Sequence, residues 1–440
     1  MHTHTVPSSP QLAQHPAKQR EEPALRLLHT SDWHLGRSFH GNSTLPQLRE
    51  VLGALPGIVR EHDIDAVLVA GDVFDHAAPA AELYGVLADA IRGLREAGAS
   101  VVITSGNHDN AARLGFQSEW AALGGVHVVT RGDAFRRPVE LADEFGPVDV
   151  FAIPYLEPML HTSLFPGEKL RTHHALLGRV LDETRALAAE RGNRSVVMSH
   201  CFAANTGPAR DASPAEIAAA GEGLVWDLTA GGVDVVPAAV FEGFDYAALG
   251  HIHGRAELTA KIRYSGAPLH FSFSEAAKPR GGWIVELDAA GYRDASWVDV
   301  PIPRPLARIR GSLDEILTGE AFGEHEHSWV EATLTDPVRP IDAMRRLRER
   351  FPYCAHIEFA PDVGPVAAEA SYTERVARKS DIDIVDEFLG LVRGGERLDD
   401  AERELVREVI AEVGAAGTGP ADDARPAGTD GVTAAQGARG

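Results

Sequence analysis

Residues 25–36, LRLLHTSDWHLG, place an Asp-x-His pair directly after a short aliphatic run. The run Leu25–Leu28 indicates a strand, and Asp32 and His34 follow in the polar segment where that strand ends. Carboxylate and imidazole groups bind divalent metals and transfer protons. A single pair of this kind is ordinary in a turn or a helix cap, so its meaning depends on whether the pattern recurs.

The pattern recurs at four further predicted strand ends. The polar groups there are GDVFD at 71–75, SGNHD at 105–109, His200, and the pair His251 and His253. In layered α/β proteins, groups at the carboxyl ends of the strands meet at one edge, so the five clusters predict one site. Oxygen and nitrogen ligands without thiolates suit two divalent ions, such as manganese, iron or zinc. Two such ions sharing a carboxylate can hold the attacking and leaving oxygens of a phosphoryl transfer.

The remaining pattern predicts the fold class. Further apolar runs lie at 66–70, 100–104, 126–129, 149–153, 195–198 and 246–249, and helical spacing occurs at 48–62, 80–97 and 169–191. Strands that alternate with helices indicate an α/β layered domain, with helices packed on central sheets. We predict this domain over residues 24–278, after a disordered tail at 1–23.

The pattern changes after Ala277, and we predict a smaller α+β domain at 279–368. Its expected strands lie at 281–287, 297–300 and 329–334, and its expected helix lies at 341–351. A helical hairpin within 369–413 follows, because two segments with helical spacing are separated by Gly394 and Gly395. The low-complexity segment 414–440 is predicted to be a disordered tail.

Composition limits the class of protein. The chain has 44% hydrophobic residues and two cysteines, Cys201 and Cys354, which excludes a disulfide-built scaffold and suits a reducing cytosol. We expect a cytoplasmic protein without a membrane anchor, since no apolar stretch has the length of a membrane span. The net charge of −22 repels polyanions, so charge alone argues against binding of nucleic acid.

The ordered set of motifs nevertheless resembles the calcineurin-like metallophosphoesterases. Within that superfamily, four stretches resemble the SbcD nuclease family: TSDWHLG at 30–36, GDVFD at 71–75, SGNHD at 105–109 and YSGAPLHFSFSE at 264–275. The resemblance implies a layered β-sandwich flanked by helices, a smaller α+β capping domain and a C-terminal helical hairpin. It also implies a DNA exonuclease and endonuclease of repair and recombination, which uses a water activated by two metals.

The resemblance further implies a role for each residue of the motifs. One metal would be bound by Asp32, His34 and His253, the other by Asn107, His200 and His251, and Asp72 would bridge both. His108 would face the scissile phosphate, and Asp109 would orient His108. Asp75 is expected behind the ligands or facing the substrate. Surface or packing roles are expected for five other histidines: His29, His40, His76, His173 and His174.

The partners implied by the resemblance are DNA and an SbcC-like ATPase, in a heterotetramer that contains a homodimer of the nuclease. The two metals are expected to be Mn²⁺. Because of the acidic net charge, we expect the isolated chain to bind DNA weakly. Two alternatives stay open, which are a small-molecule phosphoesterase with the same metals and a hairpin that packs on its own second domain. A protein that keeps the fold without catalytic activity is disfavoured by the complete ligand set.

Overall fold

The computed structural model describes residues 24–205, 235–361, 380–393, 395 and 397–416. The tail predicted at 1–23 lies outside these residues, as does the chain from 417 onward. The chain divides into two compact units. The first comprises Met1–Ile309, Ile316–Ala332 and Met344–Glu358, and the second comprises Arg310–Glu315, Thr333–Ala343 and Phe359–Gly440.

The elements are numbered in chain order. The strands are β1 Leu25–Thr30, β2 Ser38–Phe39, β3 Asn42–Ser43, β4 Ala66–Ala70, β5 Ser100–Thr104, β6 Val126–Val129, β7 Val139–Asp143, β8 Gly146–Ile153, β9 Arg194–His200, β10 Ala203–Ala204, β11 Val236–Pro237, β12 Tyr246–Gly250, β13 Ala256–Glu257, β14 Ile262–Tyr264, β15 Gly281–Asp288, β16 Gly291–Asp299, β17 Leu306–Gly311, β18 Trp329–Leu334 and β19 Cys354–Phe359. The helices are α1 Leu45–Glu61, α2 Ala81–Glu96, α3 Ala111–Leu114, α4 Ser118–Ala122, α5 His173–Arg191, α6 Leu313–Thr318, α7 Ala343–Arg350, α8 Asp381–Val392 and α9 Asp400–Ala416.

Two six-stranded sheets form the centre of the larger unit. The first sheet has the order β16-β15-β1-β4-β5-β6, and the second has the order β13-β14-β12-β9-β8-β7. Strands β1, β4, β5 and β6 run parallel to one another, as do β8, β9, β12 and β14 in the second sheet. In each sheet, the carboxyl ends of the four parallel strands therefore lie at one edge. This is the edge at which ligands bind in layered α/β folds.

Three hydrophobic clusters arrange these layers. Leu27 and Leu68 of the first sheet share one buried cluster with Val150 and Val196 of the second, so the sheets pack face to face. On the outer face of the first sheet lie α1 and α2, and on the outer face of the second lies α5. The predicted β-sandwich flanked by helices is confirmed. Continuous apolar strands such as β4, AVLVA, are explained by this arrangement because both of their faces are covered.

Strands β15 and β16 correct one expectation from the sequence. They were predicted in the smaller domain, but β15 pairs antiparallel with β1 in the first sheet, with Leu25 opposite Leu287. Trp283 on β15 is buried, and its indole N–H donates to the carbonyl of Tyr264 at 3.0 Å. An apolar pattern identifies a strand but does not specify the strand with which it pairs. The sheet to which β15 belongs is set by its pairing with β1, more than 250 residues away in the sequence.

A three-stranded sheet has the order β17-β18-β19, and most of its residues belong to the larger unit. The pairs β2-β3 and β10-β11 form two small sheets. In the smaller unit, α8 and α9 lie where helical spacing predicts them, and α9 continues to Ala416, three residues into the predicted tail. The Asp386 carboxylate joins these two helices, since it accepts from the Leu398 N–H at 2.8 Å and lies 3.1 Å from the Arg403 guanidinium. No helix in the described residues is long and apolar enough to cross a membrane.

Candidate metal centre

The predicted site residues lie at the carboxyl ends of five parallel strands. Asp32 and His34 follow β1, Asp72 follows β4, Asn107 and His108 follow β5, His200 ends β9, and His251 and His253 follow β12. The first three strands belong to one sheet and the last two to the other. The sandwich therefore brings side chains that are far apart in sequence to one edge shared by both sheets.

The backbone of these loops is held in an unusual conformation. Asp32, His34, Asp72 and His251 have φ angles of 54°, 46°, 48° and 102°, in the left-handed region that residues with a Cβ rarely adopt. Hydrogen bonds between the loops hold it, since the Asp32 N–H donates to the Gly71 carbonyl at 3.0 Å and the His34 N–H donates to the Asp72 carbonyl at 2.9 Å. Such strain costs about 1–3 kcal/mol per residue and is concentrated at functional sites.

One glycine is required by the close approach of two loops. A Cβ on Gly106 would lie 2.1 Å from Oδ1 of Asp72, which no side chain tolerates. The absence of a side chain at Gly106 allows the loop after β5 to approach Asp72, and the His108 N–H donates to Oδ1 of Asp72 at 2.9 Å. The glycine of the SGNHD motif thus fixes the position of the central carboxylate.

The first predicted ligand trio is assembled in the structure. One ligand atom from each of Asp32, His34 and His253 lies within 4.8 Å of the other two. The Nε2 atoms of His34 and His253 are 3.1 Å apart. Burial lowers the pKa of His34 and holds the pKa of His253 well below its usual value, so both rings are neutral. Histidine binds a metal ion through a nitrogen of its neutral imidazole, and here a nitrogen of each neutral ring faces the other ring.

The second predicted trio, Asn107, His200 and His251, lies beside Asp72. Ligand atoms of Asp72, His200 and His251 lie within 4.8 Å of one another. Oδ1 of Asn107 lies 3.1 Å from Nε2 of His200 and 3.1 Å from Nδ1 of His251. Oδ2 of Asp72 is 3.3 Å from Nε2 of His200 and 3.6 Å from Nε2 of His34, so this carboxylate lies between the two trios. A carboxylate in this position could contact an ion bound by either trio.

The buried acids and imidazoles of the site shift one another's pKa values. Burial alone would raise the pKa of Asp72, but the His200 ring beside it holds that pKa well below its usual range. Burial alone would lower the pKa of His200, but the Asp72 carboxylate raises it to about 9. Burial lowers the pKa of His251 to about 3 and raises the pKa of Asp32 to about 7. The donor set of buried carboxylate, amide and imidazole groups fits two divalent ions.

Partners behind the ligands orient two of the rings. Nδ1 of His34 lies 3.1 Å from Oδ1 of Asp75, and Nη1 of Arg37 lies 3.2 Å from the same oxygen. The Nδ1 atom of His200 lies 2.9 Å from the Ala70 carbonyl, to which it donates. These contacts direct Nε2 of both rings into the site, as outer partners of ligand histidines do. Asp75 therefore lies beside the ring of His34, on the side away from the nitrogen that faces His253.

The expectation for Asp109 is wrong in its partner. Its carboxylate accepts from three backbone N–H groups, those of Val73 at 3.0 Å, Phe74 at 2.9 Å and Gly106 at 2.9 Å. The His108 ring is oriented by another group, since its Nδ1 lies 2.9 Å from the Asp75 carbonyl. Asp109 thus holds together the loops after β4 and β5, and it acts on the site through the backbone.

One aromatic residue of the site was not predicted. The Phe271 ring lies edge-on against His34 and His253, with centroids 5.5 Å from each. The Arg37 guanidinium lies 4.6 Å from the centroid of the same ring. Phe271 lies in the stretch 264–275, which is one of the four stretches that resemble the SbcD family. That resemblance is the feature of the sequence that could have identified Phe271 as a residue of the site.

Two further histidines, His29 and His40, have the packing and surface positions expected for them. His29 is fully buried between the sheets, where Nδ1 is 3.0 Å from the Tyr246 hydroxyl and Nε2 is 3.1 Å from the Leu249 carbonyl. The His40 ring is exposed and packs against Phe273 and His356, with centroids 5.3 and 5.5 Å away.

Comparison with known proteins agrees with this geometry. The family model described as calcineurin-like phosphoesterase matches residues 25–255, and the model SbcD_C, described as type 5 capsule protein repressor C-terminal domain, matches residues 302–392. The SbcD protein of the SbcCD nuclease from Bacillus subtilis is 29% identical over 383 residues, which cover 83% of this chain and 91% of that protein. Its counterpart from Staphylococcus epidermidis is 24% identical over 330 residues, which cover 74% of this chain and 83% of that protein. The first match spans more than half of the chain, which is therefore a member of the calcineurin-like phosphoesterase family, a family of metal-dependent hydrolases.

Proposed function

We propose that this chain is the DNA nuclease component of a complex with an SbcC-like ATPase. The observation that carries the proposal is the Asp72 carboxylate between two ligand trios, each built from both sheets. The names of the two relatives and the C-terminal family match support the choice of DNA over a small phosphoester. The first trio, Asp32, His34 and His253, would bind one ion, and Asn107, His200 and His251 would bind the other.

The metals would be Mn²⁺, which suits carboxylate, amide and imidazole ligands. When bound, two divalent ions lower the pKa of water and neutralise phosphate oxygens. His108 supplies the protein's own chemistry, because its Nδ1 donates to the Asp75 carbonyl and leaves Nε2 as the nitrogen that exchanges a proton. We assign His108 to the scissile phosphate, where it stabilises charge and protonates the leaving oxygen.

The decisive experiment is digestion of end-labelled linear duplex DNA with Mn²⁺, with and without the ATPase. We expect cleavage by the wild-type chain, which the ATPase stimulates, and loss of cleavage in the His108→Ala variant. A hairpin substrate and a single strand in the same assay report endonuclease activity. Rapid turnover of bis-p-nitrophenyl phosphate without cleavage of any DNA would instead establish a small-molecule phosphoesterase.

The ATPase would dock on the hairpin of α8 and α9 in a cytoplasmic complex. Apolar side chains of these helices are left uncovered by the described residues, with Phe388 59%, Val392 49%, Leu405 61% and Val409 51% exposed. Exposed apolar side chains grouped on one hairpin are typical of a surface that binds a partner. The domain of β17, β18, β19 and α7 would be the capping domain that closes the DNA groove.

Point variants test this docking site in the full chain. Phe388→Asp combined with Leu405→Asp is expected to abolish co-purification with the ATPase and to leave metal-dependent cleavage of short DNA intact. Ile341→Asp is the matched control, since that side chain is 86% exposed and lies outside the hairpin. Unchanged association of the double variant, or equal loss with Ile341→Asp, would contradict the assignment.

A homodimer of the nuclease would use the region of α3 and α4. Phe116, Trp120 and Leu123 there are 75%, 75% and 74% exposed, which is unusual for a group of large apolar side chains. Trp120→Asp is expected to convert a dimer into a monomer in analytical ultracentrifugation. A wild-type chain that sediments as a monomer at micromolar concentration would refute this part of the proposal.

A further inference from the structure

A buried ion pair lies behind one half of the metal centre. Arg280 is 1% exposed, and its Nη2 pairs with the carboxylate of Glu275. Its Nη1 donates to the backbone carbonyl of His253 and lies 3.4 Å from the carbonyl of Ala267. A guanidinium fork thus binds the backbone of a proposed metal ligand with one nitrogen and a carboxylate with the other.

The other partner of the pair connects to the same half of the site. Oε2 of Glu275 accepts from the Phe271 N–H at 3.0 Å. The Phe271 ring in turn packs edge-on against His34 and His253, at 5.5 Å from each. The pair therefore fixes the backbone of His253 on one side and, on the other, the aromatic ring that covers both imidazoles of the first trio.

The second trio is oriented by different groups. Nδ1 of His200 donates to the Ala70 carbonyl, and the His251 N–H donates to Oδ1 of Asp32 at 3.1 Å. Arg280 thus contacts the backbone of the first trio directly, whereas the second trio is linked to the first through Asp32 and lies beside the same Asp72 carboxylate.

We propose that Arg280 and Glu275 are positioning residues that set the affinity of the Asp32, His34 and His253 trio for its metal, and that they affect the second trio less. This inference rests on the proposed ligand set. Arginine is required because its planar fork reaches a carbonyl and a carboxylate together, whereas a lysine ammonium keeps the charge without that geometry. Outer partners of this kind change metal affinity by about 10- to 100-fold.

The test is equilibrium dialysis of the full chain against Mn²⁺, which measures both stoichiometry and affinity without any turnover. The wild type is expected to bind two ions, and the His253→Ala variant one. Arg280→Lys and Glu275→Gln are expected to bind two ions as well, with one site weakened about 10- to 100-fold and the other weakened less. Electron paramagnetic resonance at limiting Mn²⁺ then shows a change from coupled to isolated ions.

Matched controls separate positioning from general destabilisation. Arg26 and Glu286 form an ion pair of 2.9 Å between β1 and β15, away from the carboxyl-end edge of the sheet. Arg26→Lys and Glu286→Gln should leave both affinities unchanged.

Equal weakening of both sites in Arg280→Lys and Glu275→Gln, or no weakening in either, would overturn the inference. Two tight ions in His253→Ala would instead show that the ligand set is wrong. Near-UV circular dichroism confirms that each variant is folded, and Glu275→Gln tests the pair even where Arg280→Lys does not fold.

Discussion

The two sheets contribute different chemistry to the edge at which they meet. Among the proposed ligands, the first sheet supplies every oxygen donor, namely Asp32, Asp72 and Asn107, together with His34. The second sheet supplies imidazoles only, His200, His251 and His253. Each proposed trio combines ligands of both sheets, so each proposed ion would lie between them. The difference indicates that the first sheet sets the charge of the site and the second completes its coordination.

The largest expected effect comes from the carboxylate between the trios. Asp72→Asn removes negative charge from both metal positions at once, and we expect DNA cleavage to fall by at least about 1,000-fold, or about 4 kcal/mol of transition-state stabilisation. The measurement is cleavage of labelled duplex at saturating Mn²⁺. Asp89→Asn, on an exposed helix face, is the control. Near-normal cleavage by Asp72→Asn would mean that the bridging assignment is wrong.

The next largest effect is expected at His108, which follows a strand of the first sheet and is proposed to act on the substrate. It is compared with His251, a proposed ligand that follows a strand of the second sheet. His108→Ala is expected to lower turnover by about 100- to 10,000-fold while two Mn²⁺ remain bound, because general acid catalysis has that magnitude. His251→Ala is expected to lose an ion as well as turnover. Dialysis of both variants decides this. Loss of an ion from His108→Ala would make His108 a ligand, since its ring also lies within 4.8 Å of ligand atoms of His34 and Asp72.

The sequence predicted the chemistry of the site more fully than its supports. Strand-end motifs such as GDVFD indicated the ligands, because parallel strands must bring such residues to one edge. The partners of Asp109 were missed because they are backbone N–H groups, which every residue carries and no pattern marks. Strand β15 was assigned to the wrong domain because its partner β1 is more than 250 residues away.

The corrected role of Asp109 gives a smaller effect that concerns the first sheet only. Asp109→Asn keeps one acceptor oxygen but leaves at least one of three backbone N–H groups without a partner. We expect a loss of about 1–3 kcal/mol in the free energy of unfolding. Urea unfolding measures it, with Asp89→Asn as an exposed control. Full stability together with an altered pH profile of cleavage would restore the original role of orienting His108.

The smallest expected effect concerns a polar connection between the sheets away from the ligands. His29 of the first sheet contacts Tyr246 and Leu249 of the second, and burial lowers its pKa to about 3. The Leu249 carbonyl accepts only from Nε2–H, so Nδ1 accepts from the Tyr246 hydroxyl and the ring is neutral. The unfolded chain binds this proton near pH 6.5 whereas the folded chain does not. Stability is therefore complete above that pH and decreases as the pH falls towards 3.

The variant His29→Gln tests this connection because an amide can donate to Leu249 and accept from Tyr246 but does not titrate. Between pH 7.5 and 5, wild type is expected to lose stability more steeply than the variant, by at most about 1.4 kcal/mol per pH unit below pH 6.5. Urea unfolding with a chelator present measures the difference, since removing metals eliminates competition from ligand protonation. Other histidines titrate equally in both proteins and cancel. Equal losses in the two proteins would show that His29 is not a neutral link between the sheets.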